Sequence, residues 1–226
     1  MIIIIIHKSI QQKLNNQNSS GQGLVETALI LPVLLIVLTG LLEFGFLLND
    51  YLTIQDAARN AARFSSDGLY YSTDSNQDCT GSDSTLDFNR QTACLVEREL
   101  AHERPEITLQ YGTGDDIVVS SFSIVGGAGG GTPTVSARYP DSDGWSRAQD
   151  LGQGNAQVSK FDNSWVISKL SSNAPSTGLV LVEIYFNYKQ KLALPWITLF
   201  IDDPLLIHNY AIMPLVSAEP TPVYED

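Results

Sequence analysis

A run of apolar residues near the N-terminus constrains the fold of this chain more than any other feature. Between Leu24 and Leu48 the run is broken only by the residues Glu26, Thr27, Pro32, Thr39, Gly40, Glu43 and Gly45. A bilayer core is crossed by roughly 20 apolar helical residues, so this run predicts a transmembrane helix. The following residues include strong helix formers and no Gly or Pro as far as Phe64. We therefore expect one helix over 22–64, about 65 Å long, that continues beyond the membrane as a stalk.

Glu26 is the acidic residue near the start of this run. Because a carboxylate inside a membrane helix costs on the order of 2.5–3.5 kcal/mol, it calls for a functional explanation. In one interpretation the carboxylate lies at the interface and is solvated. In the other, cleavage after Gly21 makes Gln22 the new N-terminus, whose α-amino group is largely cationic at neutral pH. This amine would neutralise Glu26 of its own chain or of a neighbouring copy, since residues four apart share a helix face.

The residues around this site resemble a known family. The segments GQGLVE at 21–26, ALILP at 28–32 and GLLEFG at 40–45 are similar to the N-terminus of TadE-like pseudopilins of tight-adherence pili. AARNAARF at 57–64 resembles the same family's continuation, and residues 182–196 and 207–217 resemble its C-terminal part more loosely. In type IV pilin-like proteins a prepilin peptidase cuts after a Gly, and a Glu is the fifth residue of the mature chain. The resemblance thus implies processing between Gly21 and Gln22, with Glu26 at a subunit contact.

Glu43 is a second carboxylate in the same run, about 100° around the helix from Glu26. Asp50 lies seven residues further on, near the same face as Glu43. One hypothesis is that Glu43 contacts another subunit during assembly. The alternative is that it belongs to a polar stripe at the far membrane interface.

Charge predicts how the chain is oriented. Lys8 and Lys13 are the only charged residues before the helix, while 21 acidic and 9 basic residues follow Ser65 and account for the formal net charge of −12. A weakly positive short flank favours a cytoplasmic N-terminus, so the acidic remainder is expected outside. Nucleic acid is an unsuitable partner, because binding it requires basic residues that neutralise phosphates.

These patterns predict four segments in a single-pass protein of the cell (inner) membrane. They are a cleaved cytoplasmic leader at 1–21, a transmembrane and stalk helix at 22–64, an extracytoplasmic domain at 65–218 and a flexible tail at 219–226. The fold class expected is α+β, in which a small antiparallel β-sheet carries one or two short helices.

The domain's elements follow from local patterns. A short amphipathic helix is predicted over 90–104, since it combines helix formers with apolar spacings of three and four and precedes Pro105. Strands are predicted, from alternating or β-branched apolar residues, over 107–111, 117–125, 132–139, 158–168, 179–189 and 205–216. On the strand at 179–189, the residues Val180, Val182, Ile184, Phe186 and Tyr188 are expected to share one face. Residues 195–201 are compatible with a short helix or an exposed apolar loop.

Cys79 and Cys94 are the only two cysteines. In an oxidising extracytoplasmic space they are expected to form a disulfide, which would close a loop of about 15 residues and contribute roughly 3 kcal/mol. Two free thiols are the alternative. Two cysteines alone do not make a structural zinc site, which needs four ligands.

No catalytic motif is present, because GxSxG, HExxH and CxxC are all missing from the sequence. Asp141 and Asp143 precede a Gly in a way that faintly resembles a calcium loop, but the rest of the ligand pattern is missing. We therefore expect a non-enzymatic protein without a cofactor. Two hypotheses remain. The first is a pseudopilin whose partners are the membrane, prepilin peptidase, other pilin subunits and the assembly machinery, in the membrane or in an extracellular pilus. The second is a membrane-anchored binding module that is not incorporated into filaments.

Overall fold

The chain begins with one very long helix. The computed structural model describes residues 2–66, 88–127, 131–141, 143–198 and 201–215. Helix α1 spans Ile2–Ser66 without interruption, which confirms the predicted helix and extends it toward the N-terminus. The predicted tail at 219–226 lies outside the described residues.

An antiparallel sheet follows the helix and confirms the predicted α+β class. Its strands are β1 (Asp116–Val125), β2 (Thr134–Tyr139), β3 (Trp145–Ser146), β4 (Thr177–Tyr188) and β5 (Leu205–Leu215). The order is β2-β1-β4-β5, and the short β3 pairs with β1 beside β2. β4 and β5 pair along almost their full lengths, from Gly178 opposite Leu215 to Tyr188 opposite Leu205.

Three short helices accompany the sheet: α2 (Phe88–Glu103), α3 (Arg147–Asp150) and α4 (Asn163–Lys169). α2 confirms the amphipathic helix predicted over 90–104. The strand predicted over 158–168 is wrong, because Asp162 caps a helix there by accepting a hydrogen bond from the backbone N–H of Trp165 at 2.7 Å.

The strand predicted over 107–111 is also wrong. The chain forms a single 3₁₀ turn at Tyr111–Thr113, and Gly114 follows with a φ of 101°, which a side chain would disfavour. Asp115 then accepts backbone N–H groups from Gln110 at 2.7 Å and Asn187 at 2.8 Å. These bonds hold the segment as a turn at the end of β4 rather than as an extra strand.

The main core lies between α1, α2 and one face of the sheet. On α1 the buried apolar residues are Ile54 and four alanines, whose small side chains let the helix lie close to the strands; the alanines are Ala57, Ala58, Ala61 and Ala62. The apolar face predicted for β4 is confirmed, since Val180, Val182, Ile184, Phe186 and Tyr188 all belong to this core. A smaller cluster on the opposite face of the sheet contains Phe122, Ile124, Val166, Leu179 and Leu181.

Candidate functional site

The part of α1 that precedes the domain is apolar and uncovered. From Leu24 to Leu42 every large apolar side chain is between 48% and 73% exposed. These 19 residues form a helix roughly 28 Å long, which matches the thickness of a bilayer core. Among the described residues, one helical stretch, Gly23–Ser66, is long and apolar enough to cross a membrane, with a mean hydropathy of 2.4 in its most apolar window.

The threonines of this section have satisfied hydroxyls. Thr27 donates to the carbonyl of Gly23 at 2.8 Å, and Thr39 donates to the carbonyl of Leu35 at 2.9 Å. A hydroxyl bonded to its own helix leaves no donor unpaired in hydrocarbon. These two residues therefore do not oppose membrane insertion, although they interrupt the apolar run.

Glu43 is a point at which the domain is hydrogen-bonded to α1. Its carboxylate accepts hydrogen bonds from the Tyr188 hydroxyl at 2.6 Å and from the backbone N–H groups of Lys191 at 2.8 Å and Leu192 at 2.9 Å. The residue is only 4% exposed. Burial, together with the adjacent carboxylate, raises the pKa of Tyr188 well above its ordinary value, so its hydroxyl remains a donor.

A second acidic residue on α1 also faces the domain. Asp50 is fully buried, and its carboxylate lies 3.3 Å from the Arg104 guanidinium and 3.5 Å from the Lys191 ammonium. At the next residue, the Asn209 side chain donates to the carbonyl of Tyr51 at 3.0 Å. The acidic residues that suggested a polar stripe are therefore attachment points for the domain of the same chain.

The opposite side of this helical section remains apolar and uncovered. Phe44, Leu48 and Leu52 are 57%, 41% and 53% exposed and follow one another at four-residue spacing. They lie roughly 120° around the helix from the face that Glu43 and Ile54 turn toward the domain. The stalk thus has one face packed on its own domain and another that has no partner among the described residues.

The predicted processing residues lie at the start of the exposed section. Gly21 and Gln22 are within continuous helix, and Glu26 is exposed one turn further on. Among the described residues, no side chain donates a hydrogen bond to Glu26.

The remaining predicted sites are separate from the helix. Cys94 lies on α2, whereas Cys79 is outside the described residues, so their pairing stays a prediction. Asp141 and Asp143 follow β2 and flank a residue that is not described. Within the described ranges, no group of three or more His, Cys, Asp or Glu side chains is placed to hold a metal ion.

Two buried carboxylates of the sheet were missed by sequence reasoning. Asp116 is fully buried and accepts hydrogen bonds from the Ser146 hydroxyl at 2.6 Å and from the backbone N–H groups of Ala148 at 2.9 Å and Gln157 at 2.7 Å. These bonds tie β3, α3 and the following loop to β1. An acid at the first position of a β-branched strand was the only available signal for such a role.

Glu183 is the second of these carboxylates and lies in the centre of β4. One of its oxygens accepts from the Tyr185 hydroxyl at 3.1 Å and from the backbone N–H of Lys160 at 3.1 Å, and lies 3.0 Å from Nε2 of His208. Burial and the neighbouring Glu183 raise the pKa of Tyr185. Through these contacts Glu183 holds the segment before α4 against the sheet.

Comparison with known families identifies the N-terminal segment. Residues 21–63 match the model of the TadE-like protein family. The resemblance predicted from GQGLVE and the following motifs is confirmed over this TadE-like segment, which includes Gly21, Glu26 and Glu43. No curated protein and no solved structure matches the chain significantly. The match covers 43 of the 226 residues and suggests a component associated with the Tad pilus, while the single candidate membrane helix among the described residues suggests a membrane-anchored protein.

Proposed function

We propose that this protein is a TadE-like pseudopilin, a structural and assembly component of a tight-adherence pilus. The observation that carries the proposal is the family match over 21–63, which includes a glycine followed five residues later by a glutamate. In this proposal prepilin peptidase cleaves after Gly21 at the cytoplasmic side of the inner membrane. The helix then anchors the mature chain, and the acidic domain lies outside.

The state of Glu26 supports an intermolecular role. Glu26 is exposed, whereas Glu43 and Asp50 on the same helix are buried against the domain. A carboxylate without a partner in lipid is costly, and a cation within about 4–6 Å would stabilise its charged form. In this proposal the freed amine of Gln22 from a neighbouring subunit supplies that cation. Correct assembly therefore removes a penalty that incorrect assembly would retain.

The uncovered apolar face supports packing between helices. Phe44, Leu48 and Leu52 lie beyond the 19-residue section that fills a bilayer, so lipid chains do not account for all of them. A row of residues at four-residue spacing is the pattern by which helices interdigitate. We assign this row to contacts with neighbouring subunits, while Glu43 fixes the domain on the other side of the helix.

The first test concerns processing and Glu26. Mass spectrometry of the mature protein is expected to show Gln22 as its N-terminus. Glu26→Ala should reduce recovery in sheared pili while membrane insertion persists. Asp56→Ala is the matched control, because Asp56 is an exposed carboxylate further along the same helix. An intact leader in piliated cells, or equal recovery of both variants, would contradict the proposal.

The second test concerns the apolar face. Leu48→Cys should give disulfide-linked dimers in piliated cells, whereas Asn49→Cys, its exposed neighbour toward a different side of the helix, should give far fewer. Recovery exclusively in membranes, with no cross-link at residue 48, would instead favour the membrane-anchored binding module.

A further inference from the structure

We propose that the connection between β4 and β5 contacts the lipid headgroup region of the membrane, so that the domain rests on the bilayer rather than standing away from it. We call the described residues of this connection, 189–198 and 201–204, the interfacial loop. The proposal rests on the membrane anchoring by α1 described above. It adds a second, lipid-facing surface from a distant part of the chain.

The position of the loop follows from Glu43. Side chains of a helix tilt toward its N-terminus, so the Glu43 carboxylate lies beside the preceding turn. Lys191 and Leu192 donate their backbone N–H groups to that carboxylate. The domain is thus bonded to the helix one residue past the 19-residue apolar section, which is where a bilayer core would end.

The chemistry of the loop fits that depth. Trp196 is 37% exposed and Ile201 is 43% exposed. Leu192 and Leu194 of the same loop are half-buried. Tryptophan is enriched at membrane interfaces, where its apolar ring and polar N–H face different surroundings. Because this loop is bonded to α1 at Glu43, just past the apolar section, we place its exposed tryptophan and aliphatic side chains against lipid.

Charge does not drive the contact. The loop contains two basic residues, Lys189 and Lys191, and two acidic residues, Asp202 and Asp203. The Lys191 ammonium also pairs with the Asp50 carboxylate, and Asp203 accepts a hydrogen bond from the backbone N–H of Gln190 at 3.3 Å. With no net charge, the loop binds through apolar insertion, and its contact should not depend on the fraction of anionic lipid.

Tryptophan quenching tests this placement in the full-length chain. The protein is reconstituted in phosphatidylcholine vesicles whose acyl chains carry bromine close to the headgroup. Trp196 is one of three tryptophans, and the other two, Trp145 and Trp165, pack within the domain. Quenching of up to about one third of the emission is expected for the unaltered protein. Trp196→Phe should abolish this quenching and leave the unfolding temperature nearly unchanged.

A second variant distinguishes lipid contact by the loop from membrane insertion of α1. Adding Leu41→Trp to Trp196→Phe places a tryptophan at the headgroup end of the exposed apolar section of α1, and this variant should be quenched. If it is quenched while neither the unaltered protein nor Trp196→Phe is, the loop does not touch lipid and the proposal fails, although the anchor stands. If the Leu41→Trp variant is not quenched either, the membrane-spanning assignment itself is overturned and the loop proposal with it.

Discussion

Substitution of Glu43 by alanine is the most direct test of how the domain is attached to the helix. The change removes the acceptor of three hydrogen bonds, one from the buried Tyr188 hydroxyl and two from backbone N–H groups. A buried donor left without a partner costs about 1–3 kcal/mol. Tyr188 is 2% exposed and loses its partner outright. The two amides lie on a partly exposed loop and can regain water, so their loss is smaller.

The expected destabilisation is therefore about 3 kcal/mol in total. For a domain of this size, 1 kcal/mol corresponds to roughly 2–4 °C in Tm, so Glu43→Ala should lower Tm by roughly 6–12 °C. The measurement is thermal unfolding of the purified full-length chain in a mild detergent, followed by near-ultraviolet circular dichroism. Working in detergent keeps the protein away from pilus subunits, so any loss arises within one chain.

Glu26→Ala is the matched control for this experiment. Glu26 is an exposed carboxylate on the same helix, and exposed substitutions change stability by no more than about 0.5 kcal/mol. Tyr188→Phe should destabilise less than Glu43→Ala and should add little to it, because both changes remove the same hydrogen bond. An unchanged Tm for Glu43→Ala, or an equal loss for Glu26→Ala, would refute the attachment role and leave Glu43 available for subunit contact.

Three further outcomes are expected from the core and the cysteines. Ala58→Leu should lower the free energy of unfolding by about 1–3 kcal/mol, because Ala58 is fully buried in the core against the sheet. Arg63→Leu, at an exposed position of the same helix, should leave it nearly unchanged. Urea unfolding of the two variants makes the comparison. Asp116→Asn should cost about 2–4 kcal/mol, since one carboxylate oxygen becomes an amide facing N–H donors; a wild-type urea midpoint would contradict this. If Cys79 and Cys94 are paired, reduction should lower stability by roughly 3 kcal/mol, and Cys94→Ser should remove the sensitivity to reductant.

Much of the architecture could be predicted from local sequence. The helix at 22–64 was recognisable from its long apolar run and strong helix formers. The strand around Val180 was recognisable because apolar residues occupy every second position. The strand expected at 158–168 failed, since the apolar residues there also fit a helix and the cap from Asp162 decided between them. At 107–111 the turn is fixed by hydrogen bonds that the Asp115 carboxylate accepts from the backbone N–H groups of Gln110 and Asn187. Asn187 is far away in the sequence, so a local pattern does not reveal it.

For this protein, the sequence alone determined that a helix long enough to cross a bilayer precedes an acidic domain, and that Gly21 and Glu26 have a pilin-like spacing. Those properties depend only on composition and on distance along one helix. The tertiary structure decided where the domain contacts its own helix and which groups bond to Glu43. The same carboxylate could have faced headgroups, another subunit or its own domain, and the choice rests on Tyr188, a donor 145 residues away in the chain. Only folding brings that donor to the helix.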